Sequence, residues 1–147
     1  MFDRTVGSIM QRRKVLKAAP GTLVSKAAKL MAAKNVGAIM VVERDRLVGI
    51  FTERDVVFRV VARGLDAQAT RLSEVMTSAP KTVDPDMPFG YCMVVMQENG
   101  FRHLPVIQGG KPVGIISARS AMDPELQEFA SEVRRREYYM RMRRPAS

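Results

Sequence analysis

Gly49-Ile50-Phe51-Thr52-Glu53-Arg54-Asp55 decides the reading of this chain. Leu47-Val48-Gly49-Ile50-Phe51 is an apolar run of strand character, and it passes directly into a helix start. Thr52 suits the N-cap position, where its hydroxyl accepts a bond from a free first-turn amide. Glu53 places negative charge where the helix dipole favours it. Asp55 stands three residues after Thr52, so both side chains reach the same helix end. The cluster fits either a closed helix cap or a point where a hydroxyl, a carboxylate and amides meet a polyhydroxylated, phosphorylated ligand.

The stretch occurs twice. At an offset of 65 the halves align without a gap from Pro20/Pro85 to Asp55/Ser120. Identities are Pro20/Pro85, Met31/Met96, Val41/Val106, Val48/Val113, Gly49/Gly114, Ile50/Ile115 and Arg54/Arg119, and the apolar pattern matches between them. Upstream, Val6-Gly7-Ser8-Ile9-Met10 echoes Leu72-Ser73-Glu74-Val75-Met76 at an offset of 66. Internal repetition of this kind makes each copy one supersecondary unit that cannot bury its own apolar face alone.

Local signals give the same plan in both copies. A short helix spans about Thr5 to Met10. A basic loop, Arg12-Arg13-Lys14, leads to a brief strand near Leu16 to Ala18. Pro20-Gly21 is a turn. Thr22 is the expected cap of a helix reaching Lys34, with Leu23, Ala27, Leu30 and Met31 at helical spacing. Ala38 to Glu43 reads as a buried strand, Leu47 to Phe51 as its partner, and 53–63 as a helix with Val56, Val57, Val60 and Val61 in a stripe. In the second copy the corresponding elements are Leu72 to Met76, Lys81 to Val83, a helix from about Met87-Pro88 with Tyr91, Cys92, Val95 and Met96 inward, Phe101 to Ile107, and Pro112 to Ser117. The expected units are 5–64, a linker at 65–70, 71–122, and a basic tail at 123–147. The tail opens with Asp123-Pro124, a helix-start signal. It carries six Arg and one Glu from Val133 onward.

Totals set limits. The chain has 147 residues, enough for one domain or two small units with a shared core. Apolar residues make up 46% and charged residues 27%, as in soluble globular proteins. No window approaches the ~20 apolar residues of a membrane span, and Met1 to Met10 lacks a secretory pattern. A cytoplasmic location is expected. Cys92 is the single cysteine, so no internal disulfide forms. No metal cluster is evident. Net charge is +9, which favours anionic partners. One His, one Cys, no paired carboxylates and no G-x-x-x-x-G-K loop argue against an enzyme.

The duplicated motifs resemble a tandem pair of CBS domains, a stand-alone Bateman module. The residues carrying the likeness are Val6 to Met10, Thr22 to Met31, Gly37 to Val42 and Gly49 to Asp55. In the second copy they are Leu72 to Met76, Arg102 to Ile107 and Gly114 to Ser117. The resemblance covers about 5–122 and implies an α+β fold. Each repeat is about β-α-β-β-α with a short leading helix, the two are packed pseudo-symmetrically, and a basic C-terminal helix follows. It also implies regulatory binding of an adenine nucleotide between the repeats: AMP first, or ADP, ATP or NAD, with no catalytic cofactor.

Carried over by position, the main site comprises Asp55 for ribose, Thr52 beside it, and Arg102, His103, Ser117 and Arg119 toward phosphate. Lys17, Ala18 and Ala19 would frame the base. The related position is expected to be weaker. Ser120 replaces the carboxylate, and Gly37 and Ala38 stand where Arg102 and His103 stand. Arg54, Thr82, Val83 and Asp84 are its remaining candidates. Family likeness also implies a homodimer, with Val57, Val61 and Met93 as contact candidates, and a regulated protein partner. Two other readings use the arginine-rich tail: nucleic-acid binding through Arg134-Arg135-Arg136 and Arg141 to Arg144, or a structural adaptor. No DNA-reading motif accompanies the tail, and aromatic residues for base stacking are few.

Overall fold

A computed structural model describes residues 3–10, 15–119 and 123–143. The basic loop Arg12-Arg13-Lys14, Ser120 and Arg144 lie outside the described residues. The order is α1 (Val6–Ile9), β1 (Lys17–Ala18), α2 (Val24–Lys34), β2 (Ala38–Glu43), β3 (Arg46–Thr52) and α3 (Glu53–Asp55). Then come α4 (Leu72–Val75), β4 (Thr77–Ser78), α5 (Phe89–Asn99), β5 (His103–Gln108), β6 (Lys111–Ser117) and α6 (Asp123–Met142). α3 runs on as a π-helical segment, Val56–Val61. There Ala62 N–H bonds Val57 O at 2.9 Å and Leu65 N–H bonds Val60 O at 3.0 Å.

Repeat one holds a four-stranded sheet in the order β1-β2-β3-β4. β1 pairs parallel with β2, and β2-β3 and β3-β4 are antiparallel. Repeat two holds the antiparallel pair β5-β6 and a single parallel bridge from Val83 to Val106. The expected strand at Lys81 to Val83 shrinks to that bridge for a chemical reason. In repeat one Met40 N–H bonds Leu16 O at 2.9 Å. The matching position in repeat two is Pro105, which has no N–H to give. Both hairpins carry a register shift at the same place, Val41/Val42 and Val106/Ile107. The duplication extends to backbone irregularities.

Two expectations about helices need correction. Thr22 does not cap α2; the N-cap is Leu23, with no side-chain bond. Carbonyls of Thr70 and Ala67 take the Val24 and Ser25 N–H groups at 2.9 Å, and the Thr22 carbonyl accepts from Leu72 at 2.9 Å. Tyr91 points outward, while Phe89 and Cys92 fill the core.

The leading helices are exchanged between repeats. α1 precedes repeat one in sequence but packs in repeat two. Val6 N–H bonds Met87 O at 2.8 Å, Gly7 N–H bonds Pro85 O at 2.7 Å, and Phe89 N–H bonds Arg4 O at 2.7 Å. Val6 and Met10 sit in one core with Val83, Phe89, Cys92, Met96, Leu104, Val106 and Ile116. α4 does the reverse. Leu72 N–H bonds Thr22 O, Ser73 N–H bonds Pro20 O, and Leu72 and Val75 join Val24, Ala27, Met31, Ile39, Val41, Phe51 and Val60. A third, smaller cluster of Ala38, Ile50 and Ile115, with Val15 against it, joins the repeats where β3 meets β6. Gly49 is required by the crossing of β3 and β4, since a Cβ there would stand 3.0 Å from the Thr77 carbonyl and closer still to Met76.

Because each core borrows a helix from the other half, the module should unfold as one unit. Leu72→Ala removes a fully buried side chain from the repeat-one core. It should cost about 2–5 kcal/mol in urea unfolding while keeping a single transition. A two-step transition that leaves repeat one untouched would contradict the exchange.

Candidate functional site

Matched strand ends place the candidate residues of each repeat at equivalent corners. β2 begins opposite the end of β3, with Ala38 paired to Thr52. β5 begins opposite the end of β6, with His103 paired to Ser117. Just past these rungs the backbone closes in the same way twice: Glu53 N–H bonds Gly37 O at 3.0 Å, and Ala118 N–H bonds Arg102 O at 2.8 Å.

At the repeat-one end, Thr52 and Asp55 form a closed capping box. Thr52 N–H donates to Asp55 Oδ2 at 2.9 Å, and the Thr52 hydroxyl lies 3.3 Å from the same oxygen. Asp55 Oδ1 faces Arg59 Nε at 3.5 Å. Arg59 also donates to the carbonyls of Val75 and Met76 at 3.2 and 2.9 Å, tying the cap to the end of α4. The carboxylate is buried at 8% residue exposure and held in place. The capping role is therefore real.

The first turn of α3 faces the second repeat. Arg54 Nη1 donates to Gly100 O at 3.2 Å, and its guanidinium lies 5.1 Å from the centre of the Phe58 ring. Arg54, expected to serve the weaker site, instead acts as a latch between repeats. His103 feels the convergence. Burial pushes its pKa below the ordinary value of 6.5; Glu53 from repeat one opposes that shift, and Arg102 and Arg119 reinforce it.

Other candidates are placed differently. Lys17 and Ala18 pair with Met40 and Val41, so they lie further along the sheet than the Thr52 rung, and Ala19 lies beyond them. Continuing that register, Val15 is the residue level with Ala38 and Thr52. At the symmetry-related position, Val83 is a core residue whose N–H and carbonyl are both bonded, to Pro105 O at 3.1 Å and Ile107 N–H at 2.9 Å. Thr82 and Asp84 flank it on the surface. No backbone group of Val83 is left without a partner for a base. Sequence reading gave Glu53 no part beyond its charge at the helix start. Its carboxylate lies over Gly37, 3.1 Å from where a Cβ would stand. The signal was present: Gly37 and Glu53 of repeat one stand where repeat two has Arg102 and Ala118.

An apolar cleft of about 580 Å³, lined by Gly90, Met93, Val94, Phe101 and Ala118, adjoins the site only through Ala118. Its walls carry no charged side chain. Among the described residues no group of His, Cys, Asp or Glu is arranged to hold a metal ion. No helix among them is long and apolar enough to cross a membrane. Burial raises the Cys92 thiol pKa to about 11, so this cysteine stays protonated in the core.

Comparison with known proteins follows the same duplication. The CBS domain model matches residues 6–62 and 72–123. The chain is 34% identical over 122 residues to the meiotically up-regulated gene 70 protein of Schizosaccharomyces pombe, covering 76% of this chain and 17% of that protein. Other curated relatives are spanned over 20% to 73% of their length. A signal-transduction protein with CBS domains from Burkholderia ambifaria, described as putative, superposes with a TM-score of 0.75 at 39% identity, covering 79% of this chain and 89% of that one. CBS domain protein PAE2072 from Pyrobaculum aerophilum, solved in complex with AMP, superposes with a TM-score of 0.75 at 25% identity, covering 86% and 98%.

His103 is the only histidine, so its imidazole is resolved in any NMR titration. Its midpoint should fall below 6.5 in the ligand-free protein. The sign for stability follows. Between the two values the unfolded chain binds more protons, so this histidine's contribution is full above pH 6.5 and is lost as pH falls through the folded value. A midpoint at or above 6.5 would contradict the half-buried placement of this imidazole.

Proposed function

The chain belongs to the CBS-domain family, and from that membership we propose that it is a sensor which binds an adenine nucleotide between its two repeats. CBS pairs are regulatory ligand-binding modules rather than catalysts. The observation that carries the reading is that the α3 turn bearing the Thr52–Asp55 cap meets the second repeat through the Arg54–Gly100 hydrogen bond, two and three residues before Arg102 and His103.

In this reading the phosphate lies against Arg102, His103 and Arg119, near the Ser117 hydroxyl. Charge-assisted bonds to a phosphate are strong and directional. Bound phosphate raises the His103 pKa and recovers part of the cost of its burial. The ribose lies at the Thr52–Asp55 cap, whose carboxylate still has lone pairs directed away from Thr52. The base packs at the start of β1, near Val15 and Lys17, with Ala18 and Ala19 along its edge. AMP is the first ligand to test, ahead of ADP, ATP and NAD; the AMP complex of the Pyrobaculum aerophilum protein supports that order. The symmetry-related position, with Arg54 latched and Val83 bonded, is proposed to take no nucleotide or a weaker one.

Binding works through the repeats. A ligand that touches both favours the arrangement in which those contacts coexist, by as much as its affinities for the two arrangements differ. Val57, Phe58 and Val61 on the π-helical segment, and Tyr91 and Val94 on α5, are exposed at 52% to 69%. Such faces are the proposed homodimer contact, and through it a regulated partner protein would read the ligand state.

Titration calorimetry tests the site. AMP should bind below millimolar, and Asp55→Asn and Arg102→Ala should each weaken it about tenfold or more, as loss of a charged hydrogen bond does. Thr82→Ala should leave it unchanged. Absence of binding, or indifference to Asp55 and Arg102, would overturn the assignment. Nucleic-acid binding that falls steeply with salt and survives Asp55→Asn would favour the tail instead. Phe58→Asp should convert the dimer to a monomer by mass in solution; an unchanged mass would remove this face from the interface.

A further inference from the structure

Helix α6 takes no part in the nucleotide reading. From Phe129 to Arg143 every residue except Ala130 is exposed, so this length of helix rests on no other described element. Phe129, Val133 and Met140, spaced by four and seven, nevertheless form an apolar stripe exposed at 38% to 70%. An apolar stripe on an otherwise charged helix is the mark of a seam against a second element. Charge is divided along the same helix. Residues 123–132 hold four acids and no base; residues 133–143 hold five Arg and one Glu. The helix dipole favours that order only within the first and last turns. Glu132 and Arg134-Arg135-Arg136 lie mid-helix, beyond its reach.

We propose that α6 pairs antiparallel with α6 of a second copy of this chain, the two stripes meeting at Val133 and the acidic half of each helix lying along the basic half of the other. Parallel pairing would set acid on acid and Arg on Arg. Antiparallel pairing sets opposite charges together along the whole length. The stripe fixes the register. Centred on Val133, Met140 comes level with Leu126 of the second copy, each seven residues from the centre. Phe129 comes level with Glu137, in the one turn where the stripe has no apolar residue, so its largest side chain meets the gap. Glu132 and Arg136 share one flank of the stripe. They bond each other at 2.7 Å within the helix and are exposed, so each also faces its opposite number across the seam. A seam this short is small beside the ~800 Å² a side of a stable interface. It therefore supplements the exposed face of the π-helical segment and does not replace it.

The test uses the full chain with one new cysteine at a time; native Cys92 is buried and does not compete. Under mild oxidation Val133→Cys should form a covalent dimer on a non-reducing gel, because the two positions meet at the centre. Ser131→Cys, on the far side of the helix, should not. Phe129→Cys should not either: antiparallel helices hold the two copies of position 129 about 12 Å apart along the axis, too far for a disulfide. Val133→Cys that cross-links no more than Ser131→Cys overturns the proposal. So does efficient cross-linking through Phe129→Cys, the mark of parallel helices. Charge is tested by adding Glu132→Arg or Arg136→Glu to Val133→Cys. Each should cut the covalent yield about fivefold, as like charges meet across the seam. Mixing the two variants should recover it, since opposite charges then face each other between chains; lost helix would not be repaired by mixing. Unchanged yields, or no recovery on mixing, count against the pairing. A chain that stays uncross-linked but binds phosphatidylserine vesicles or duplex DNA gives the face to an anionic surface and overturns self-pairing. None of these readouts involves a nucleotide, so they stand whatever the fate of the adenine site.

Discussion

Exchange of the two leading helices is the constraint from which the rest follows. α1 closes the core of repeat two and α4 closes the core of repeat one, each through paired backbone bonds to a Pro-containing turn. Neither half can turn far against the other without opening a core or stranding buried amides, and a stranded buried polar group costs about 1–3 kcal/mol. The exchange therefore holds β3 against β6 around Ala38, Ile50 and Ile115. The strand ends beyond that small cluster are left facing each other. The corner at each hairpin end is a consequence of topology, and its chemistry comes from whichever residues stand there.

Symmetry makes two such positions, and side chains make them unequal. Repeat two presents Arg102 and His103 at the start of β5; repeat one presents Gly37 and Ala38 at the start of β2. Repeat one presents Glu53 after β3; repeat two presents Ala118 after β6. The two corners thus differ in charge, and burial lowers the pKa of the His103 imidazole at the second. Arg54 is spent on the Gly100 carbonyl and the Phe58 ring, which fastens the acid-bearing turn to the other repeat. The result is one cationic corner and one latch, from two copies of the same motif.

Much of this was legible in the residues. The offset of 65 between copies located every strand of both hairpins, and the Gly-Ile-Phe-Thr-Glu-Arg-Asp stretch located the strand-to-helix corner. Thr52 and Asp55 were readable as a cap because capping is local. What local pattern does not carry is which core a short helix joins, so α1 and α4 read as leaders of their own repeats. Thr22 read as a cap because the carbonyls that serve α2 come from residues 67 and 70, far along the chain. Pro105 could have predicted the shortened strand, had its place opposite Lys81 and Val83 been considered. Glu53 read as a charge favourable to a helix dipole, and its close approach to Gly37 is a contact that local pattern does not carry.

The central claim is that one phosphorylated ligand occupies the crevice between the strand ends of the two repeats. A crystal structure of the full chain grown with AMP tests it most directly. The account predicts a phosphate within hydrogen-bond distance of at least two of Arg102, His103 and Arg119, with the ribose beside the Thr52–Asp55 cap. AMP lodged at the Val83 side, or no bound nucleotide at millimolar concentration, would contradict it.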